Sequence, residues 1–223
     1  MLLLNSLFKK ITLIILFTSL FLPCVASQAD PVVELNELMA KLTTLNVDFS
    51  LEIHDQSTKE LLDESSGTLI VKRPGFFNVH TKEPFEQFII SDRNVIWTYD
   101  VELEQATQEP VDERLQQTPF LLLSGDVDAI RKNFQVAEPK YDGKARQFSL
   151  SPVDENASYN NVILDFNDED TLIRMQWDNT LGEQSTINFH NIKINTAITD
   201  AIFQFQPPEG VEIEIKQAAN PSL

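Results

Sequence analysis

The sequence predicts an α+β fold that is mostly strand: one large antiparallel sheet, an N-terminal helix and a short helical centre. Three observations lead there. Apolar and polar residues alternate over many short stretches, the period of strands with one buried face. Turn-forming clusters such as Asp92-Arg93-Asn94 and Asp168-Glu169-Asp170 separate neighbouring stretches, as hairpins require. No helical pattern alternates with the strands, which argues against a doubly wound parallel sheet.

Residues 1–29 read as a secretory signal peptide rather than as part of the fold. Lys9 and Lys10 supply positive charge, Ile11 to Leu22 an apolar run, and Pro23 breaks it. Small residues then offer cleavage after Ala26 or after Ala29. The apolar run is shorter than the roughly 20 residues that cross a bilayer, and no later segment is apolar enough to do so. Cys24 follows Phe21-Leu22-Pro23, and proline at the cleavage position is a poor substrate for lipid attachment, so Cys24 is expected to leave with the signal. It is the single cysteine, so no disulfide is expected in residues 30–223, which read as one domain.

All 34 acidic residues lie beyond the cut, whereas loss of Lys9 and Lys10 reduces the 17 basic residues to 15, for a mature balance of −19. Such a surface repels nucleic acid and anionic headgroups.

Along the chain, Asp30 can cap a helix, Pro31 fits its first position and Glu34 suits its positive end. Leu35, Leu38, Met39, Leu42 and Leu45 then form one apolar face. Alternation begins at Val47, Phe49, Leu51 and Ile53. It recurs in Thr68 to Lys72, Phe76 to Thr81, Glu86 to Ile90 and Val95 to Tyr99. After the centre it returns in Arg146 to Leu150, Asn161 to Phe166, Leu172 to Trp177 and Ser185 to Ile192. Between the two series, Thr118 can cap and Pro119 can open a short helix that Gly125 ends. Asp126 can cap a second, with Val127, Ile130 and Phe134 on one side. The run Phe120-Leu121-Leu122-Leu123 is too apolar for a surface helix, so it is either sandwiched or covers a cavity.

The chemistry of an enzyme is missing. His54, His80 and His190 are far apart with no ligand spacing, and no nucleophile elbow, Walker loop or dinucleotide fingerprint occurs. The carboxylate clusters Asp63-Glu64 and Asp168-Glu169-Asp170 sit in turn-like sequence. What remains is an inventory of rings, including Phe49, Phe77, Phe88, Trp97 and Trp177, which either fill a core or line the hollow side of a curved sheet. Arg73, just before Pro74, is either a surface arginine at a strand end or a five-donor tie to carbonyls of the Phe120 helix.

Several segments, in order, resemble the LolA family of periplasmic carriers of outer-membrane lipoproteins. They are Gly67 with Val71 to Phe77, Asp92 with Ile96 to Asp100, and Glu104-Gln105-Ala106-Thr107. Thr118-Pro119-Phe120 with Leu122, Gln184 to Ile187, and the tail Phe203-Gln204-Phe205-Gln206-Pro207-Pro208-Glu209-Gly210-Val211 complete the set. The resemblance implies an incomplete antiparallel barrel whose helices form a lid over a hydrophobic cavity. It makes Arg73 the latch of the lid, Phe120 and Leu122 part of that lid, and Phe77 a residue lining the cavity; Val79, Phe88, Trp97, Phe120, Leu122 and Leu123 are expected to meet ligand with Phe77. The family often carries an aromatic residue where Val79 stands, which alters the expected shape of the pocket. The cargo implied is an acylated lipoprotein, released by the inner-membrane ABC transporter LolCDE and passed to the outer-membrane receptor LolB. The resemblance also implies a soluble monomer without cofactor, metal, nucleic acid or stable membrane insertion. A carrier or sensor of another lipid on the same fold is the alternative.

Overall fold

A computed structural model describes residues 30–111, 121–124 and 128–217. The expected signal peptide with Cys24, the segment Thr118-Pro119-Phe120, and Gly125, Asp126 and Val127 lie outside the described residues.

Helix α1 spans Pro31–Ala40, with Leu35, Leu38 and Met39 buried. Asp30 caps it, its side chain accepting the Val32 N–H at 3.0 Å. The expected apolar face ran on to Leu45, but the helix stops at Ala40 and Lys41 forms its C-cap. Thr44 already opens strand β1 (Thr44–Asp55), so Leu45 is buried as a strand residue. The β-branched pair Thr43-Thr44 and the alternation that follows outweigh one further helical turn.

The other strands are β2 (Leu61–Lys72), β3 (Phe76–Glu83), β4 (Gln87–Asp92), β5 (Val95–Asp100) and β6 (Gln105–Pro110). Two short helices follow, α2 (Leu121–Ser124) and α3 (Asp128–Asn133). Then come β7 (Phe134–Val136), β8 (Lys140–Asp142), β9 (Ala145–Pro152), β10 (Tyr159–Phe166), β11 (Leu172–Asn179), β12 (Glu183–Ile194) and β13 (Glu212–Ile215). They form one sheet in the order β13-β6-β5-β4-β3-β2-β1-β12-β11-β10-β9-β7, with β8 beside β9. Because β13 and β7 do not pair, the sheet curls without closing. Every pairing is antiparallel except that of β13 with β6, which is parallel.

Four strands escape the sequence pattern. β6 reads Gln-Ala-Thr-Gln-Glu-Pro and shows no alternation; its place is set by β5, to which it pairs along its length. β7 and β8 have three residues each, and β13 is exposed throughout. Phe134, expected on the second central helix, instead starts β7, yet it remains 4% exposed because the same side faces the core.

One face of the sheet, here the inner one, meets the helices. Leu35, Leu38 and Met39 of α1, Leu122 and Leu123 of α2 and Ile130 of α3 join Phe49, Leu69, Phe77, Phe148, Leu164, Met175 and Ile187 in one core. The outer face of β3, β4 and β5 is strapped by the tail. A 3₁₀ turn at Asp200–Phe203 puts Phe203 5.3 Å from Phe76, and Asn78 Nδ2 donates to the Ile202 carbonyl at 2.7 Å. The Phe205 ring then lies tilted, 5.4 Å from both Trp97 and Tyr99, before the chain reaches β13.

From the first turn of α1 to its C-cap, a charge network ties helix to sheet. Lys41 Nζ lies 2.9 Å from Asp170, Arg146 bridges Asp170 and Glu34, and Tyr141 donates to Glu34 at 2.8 Å. The hydrogen bond from Lys41 holds the Asp170 carboxyl below its ordinary value, with the charges of Arg146 and Lys41 acting the same way and burial opposing them. A depressed folded-state pKa contributes stability above the unfolded value, and that contribution is lost as pH falls through the folded one. Asp170 is 31% exposed, so the contribution is discounted to less than about 1 kcal/mol. Between about pH 5 and pH 3 the urea midpoint should fall, and Asp170→Asn should flatten part of that fall. Identical pH profiles for the two proteins would remove Asp170 from the account.

Candidate functional site

Strand alternation decides which side chains face inward. On β3 these are Phe77, Val79 and Thr81, and the register carries the parity across the hairpins. Phe77 lies opposite Ser91, Val79 opposite Ile89 and Thr81 opposite Gln87. On β5, Ile96, Thr98 and Asp100 follow, opposite Ser91, Ile89 and Gln87. From the other arm of the sheet, Phe49 and Leu51 of β1 meet Phe189 and Ile187 of β12, and Trp177 enters from β11.

Between these walls lies a cavity of about 670 Å³. Its apolar lining is Phe49, Leu51, Phe77, Val79, Ile89, Ile96, Trp177 and Ile187. Pro84 and Phe85, from the turn between β3 and β4, stand at its edge, and Phe85 is 62% exposed. Asp63, Asp100 and Glu109 add carboxylates to the lining. The volume falls within the roughly 300–1,000 Å³ of small-molecule sites.

Beside the cavity, α2 is held by the turn between β2 and β3. Arg73 Nε donates to the Leu123 carbonyl at 2.9 Å and its Nη2 to the Leu122 carbonyl at 2.7 Å. The Gly75 N–H donates to the Ser124 carbonyl at 2.7 Å. A four-residue helix leaves its carbonyls without intrahelical donors, and three successive ones are satisfied here by one turn. Arg73 is itself fixed, its N–H bonded to the Thr43 carbonyl at 2.9 Å. Gly75 has φ +84°, and a Cβ there would press on Arg93 at 3.1 Å, so the turn requires glycine. Of the two readings open for Arg73 in sequence, the tie to the helix carbonyls is the one found.

The structure brings some expected residues together and separates others. Phe77 and Val79 line the cavity. Leu122 and Leu123 are 7% and 0% exposed and pack into the core instead of lining the open volume, so with α2 latched they fill interior space. Phe88 and Trp97 require correction. Both point to the outer face, Phe88 stacking 4.0 Å from His80 and Trp97 lying tilted 5.4 Å from Phe205. Each occupies the opposite parity to Val79 and Ile89, and period-two alternation forbids both sets from facing inward. Phe120 lies outside the described residues. Sequence reasoning missed Leu51, Ile89, Ile96 and Ile187 as cavity residues. The signal that finds them is parity carried from Phe77 through each hairpin register. Among the described residues no three potential metal ligands cluster, and the histidines pair separately, His80 with Glu86 at 2.8 Å and His190 with Ser50 at 3.2 Å.

The arrangement sets an apolar hollow beside a short helix whose carbonyls one arginine holds. Val79 is 6% exposed at the cavity wall, where a larger ring would take up space. Val79→Trp should weaken binding of a fluorescent fatty acid by roughly tenfold, about 1.4 kcal/mol, without loss of fold. Unchanged affinity would show that the probe sits elsewhere.

A family model described as outer membrane lipoprotein carrier protein LolA matches residues 40–206. An outer-membrane lipoprotein carrier protein from Azotobacter vinelandii is 37% identical over 205 residues, covering 89% of this chain and 98% of that one. A protein of the same description from Pseudomonas putida is 37% identical over 180 residues, covering 80% and 85%. Among solved structures, an uncharacterized conserved protein from Thermus thermophilus aligns with a TM-score of 0.51 at 12% identity, over 83% of this chain and 97% of that chain, a likeness of fold alone.

Proposed function

The chain belongs to the LolA family of outer membrane lipoprotein carriers, and we propose that it carries acylated lipoproteins across the periplasm. The observation that carries this reading is the apolar cavity of about 670 Å³ beside a lid whose carbonyls Arg73 holds. Residues 1–29 act as signal peptide, cleaved after Ala29 or Ala26, and residues 30–223 work as a single monomeric domain. The cargo's acyl chains lie against Phe77 and Val79, and displacement of α2 adds the space that Leu122 and Leu123 fill. No reaction is catalysed.

Burial of acyl chains is worth about 0.8 kcal/mol per CH₂, and leaving a membrane costs nearly the same. Loading therefore needs an outside drive, for which the ABC transporter LolCDE is the partner, and release needs a better sink, the receptor LolB. A latch of hydrogen bonds from a charged donor, about 1.5–3 kcal/mol each, is of the right size to favour handover without preventing loading. The mature chain, incubated with inner-membrane vesicles and ATP, should bring acylated protein into the soluble fraction. Vesicles that retain all their lipoproteins while the carrier elutes empty, or loaded with free lipid, would overturn the reading.

A further inference from the structure

Arg73 stands one residue past the end of the β1–β2 ladder, whose last rung pairs Thr44 with Lys72. Its own N–H reaches back to the Thr43 carbonyl at 2.9 Å. Thr43 belongs to neither neighbouring element, since α1 is capped at Lys41 and β1 opens at Thr44. What fixes Thr43 arrives from the far end of the chain. Asn195, the residue after β12, accepts both the Thr43 N–H at 2.9 Å and the Thr43 hydroxyl at 2.8 Å on its Oδ1. Its Nδ2 donates to the Lys41 carbonyl at 2.8 Å, and its backbone N–H to the Thr44 carbonyl at 2.9 Å.

A carboxamide is what this junction asks for, because it must accept and donate at once. The backbone of Asn195 has φ +56°, a left-handed conformation that asparagine adopts more readily than most residues with a side chain. Aspartate would keep the acceptor for Thr43 but could not donate to Lys41. Glycine would keep the backbone and none of the side-chain bonds. Thr43 and Asn195 are both exposed, so water satisfies the groups left behind and the fold survives the change. Aim is more sensitive. Arg73 brings Nε and Nη2 to two different carbonyls at 2.9 and 2.7 Å, and such bonds weaken steeply with misalignment.

We propose that Asn195 is a positioning residue for the latch: through Thr43 it sets the backbone of Arg73 so that the guanidinium meets the carbonyls of α2. Asn195 does not line the cavity and acts through Arg73 alone. This rests on the carrier reading and on Arg73 as its latch, and adds the residue that aims the latch. Without that aim α2 closes less firmly, so handover slows while uptake stands.

The test loads the mature chain with lipoprotein from inner-membrane vesicles and ATP, then follows transfer into receptor-bearing liposomes. Asn195→Gly should transfer roughly tenfold more slowly than wild type, while binding a fluorescent fatty acid as well or better. Asn195→Asp should recover most of the rate, because it keeps the bonds to Thr43. Added to Arg73→Leu, Asn195→Gly should slow transfer no further, since a residue acting only through another has no effect once that one is gone. Asn191→Gly is the control. Asn191 also has a positive φ, +50°, and ties β12 to β1, but its Nδ2 donates to Asp48 at 2.6 Å rather than meeting Thr43, so the variant should transfer like wild type. Wild-type transfer by Asn195→Gly, additive slowing in the double variant, or equal slowing in Asn191→Gly would overturn the positioning role and leave latch and carrier standing. Wild-type transfer by Arg73→Leu would sink the latch and this role with it, and failure to load any lipoprotein would sink the carrier reading as well.

Discussion

Arg73→Leu is expected to take up cargo and then fail to hand it over. The wild-type guanidinium satisfies the carbonyls of Leu122 and Leu123, and leucine offers them no donor. Closing α2 would then bury two unsatisfied acceptors, so the closed, empty form loses stability relative to the open, loaded one. Two bonds from a charged donor amount to at least about 3 kcal/mol, and transfer to the acceptor should fall by roughly a hundredfold. Uptake depends on the apolar wall, which Arg73 does not line, so fatty-acid binding should be unchanged or tighter. Moving cargo from a purified loaded complex into receptor-bearing liposomes measures the difference. Transfer at the wild-type rate would reject the latch, whatever the fold of the variant.

The largest stability effect is expected at Gly67. A Cβ built there would lie 2.0 Å from the His80 carbonyl oxygen and 2.9 Å from the Thr81 Cα, both backbone atoms that cannot swing aside. The register between β2 and β3 shifts at this point, and the glycine is buried in the bend. Gly67→Ala must push the two strands apart and should cost at least about 3 kcal/mol, lowering Tm by roughly 6–12 °C. Gly143 provides the contrast. It has φ +63° with nothing within 4 Å of a built Cβ, so Gly143→Ala pays only backbone strain, about 1–2 kcal/mol. Equal urea midpoints for the two variants would refute the steric argument.

Much of the fold was legible because burial on one face writes itself into alternation. Val47 to Ile53, Phe76 to Thr81 and Asn161 to Phe166 all fall within observed strands. The strands that went unread lack that imprint: β6 has one buried residue, Ala106, and β13 has none. Their pairing is dictated by neighbours far along the chain. The cavity was half legible for the same reason. Alternation within one strand says that Phe77 and Val79 share a side, but it does not say which side of the next strand joins them. Phe88 and Trp97 went to the wrong side on that account, since aromatic character is common to both faces. The outer face needs rings as well, because the strap carries Phe203 and Phe205 across it. The latch was open to two readings in sequence because nothing local links Arg73 to carbonyls about 50 positions later.

Strand β1 lies between β2, its immediate successor, and β12, which arrives some 140 residues later, as the contact of Ser50 with His190 marks. A polypeptide emerges N-terminus first, from a ribosome or from a translocation pore. Until the last quarter of the molecule appears, β1 keeps one edge bare and the two arms of the sheet have no seam between them. Closure rates of such distant partners are slow. Maturation is thereby a terminal event: the hollow cannot exist, and nothing greasy can be sheltered, in a nascent or truncated product.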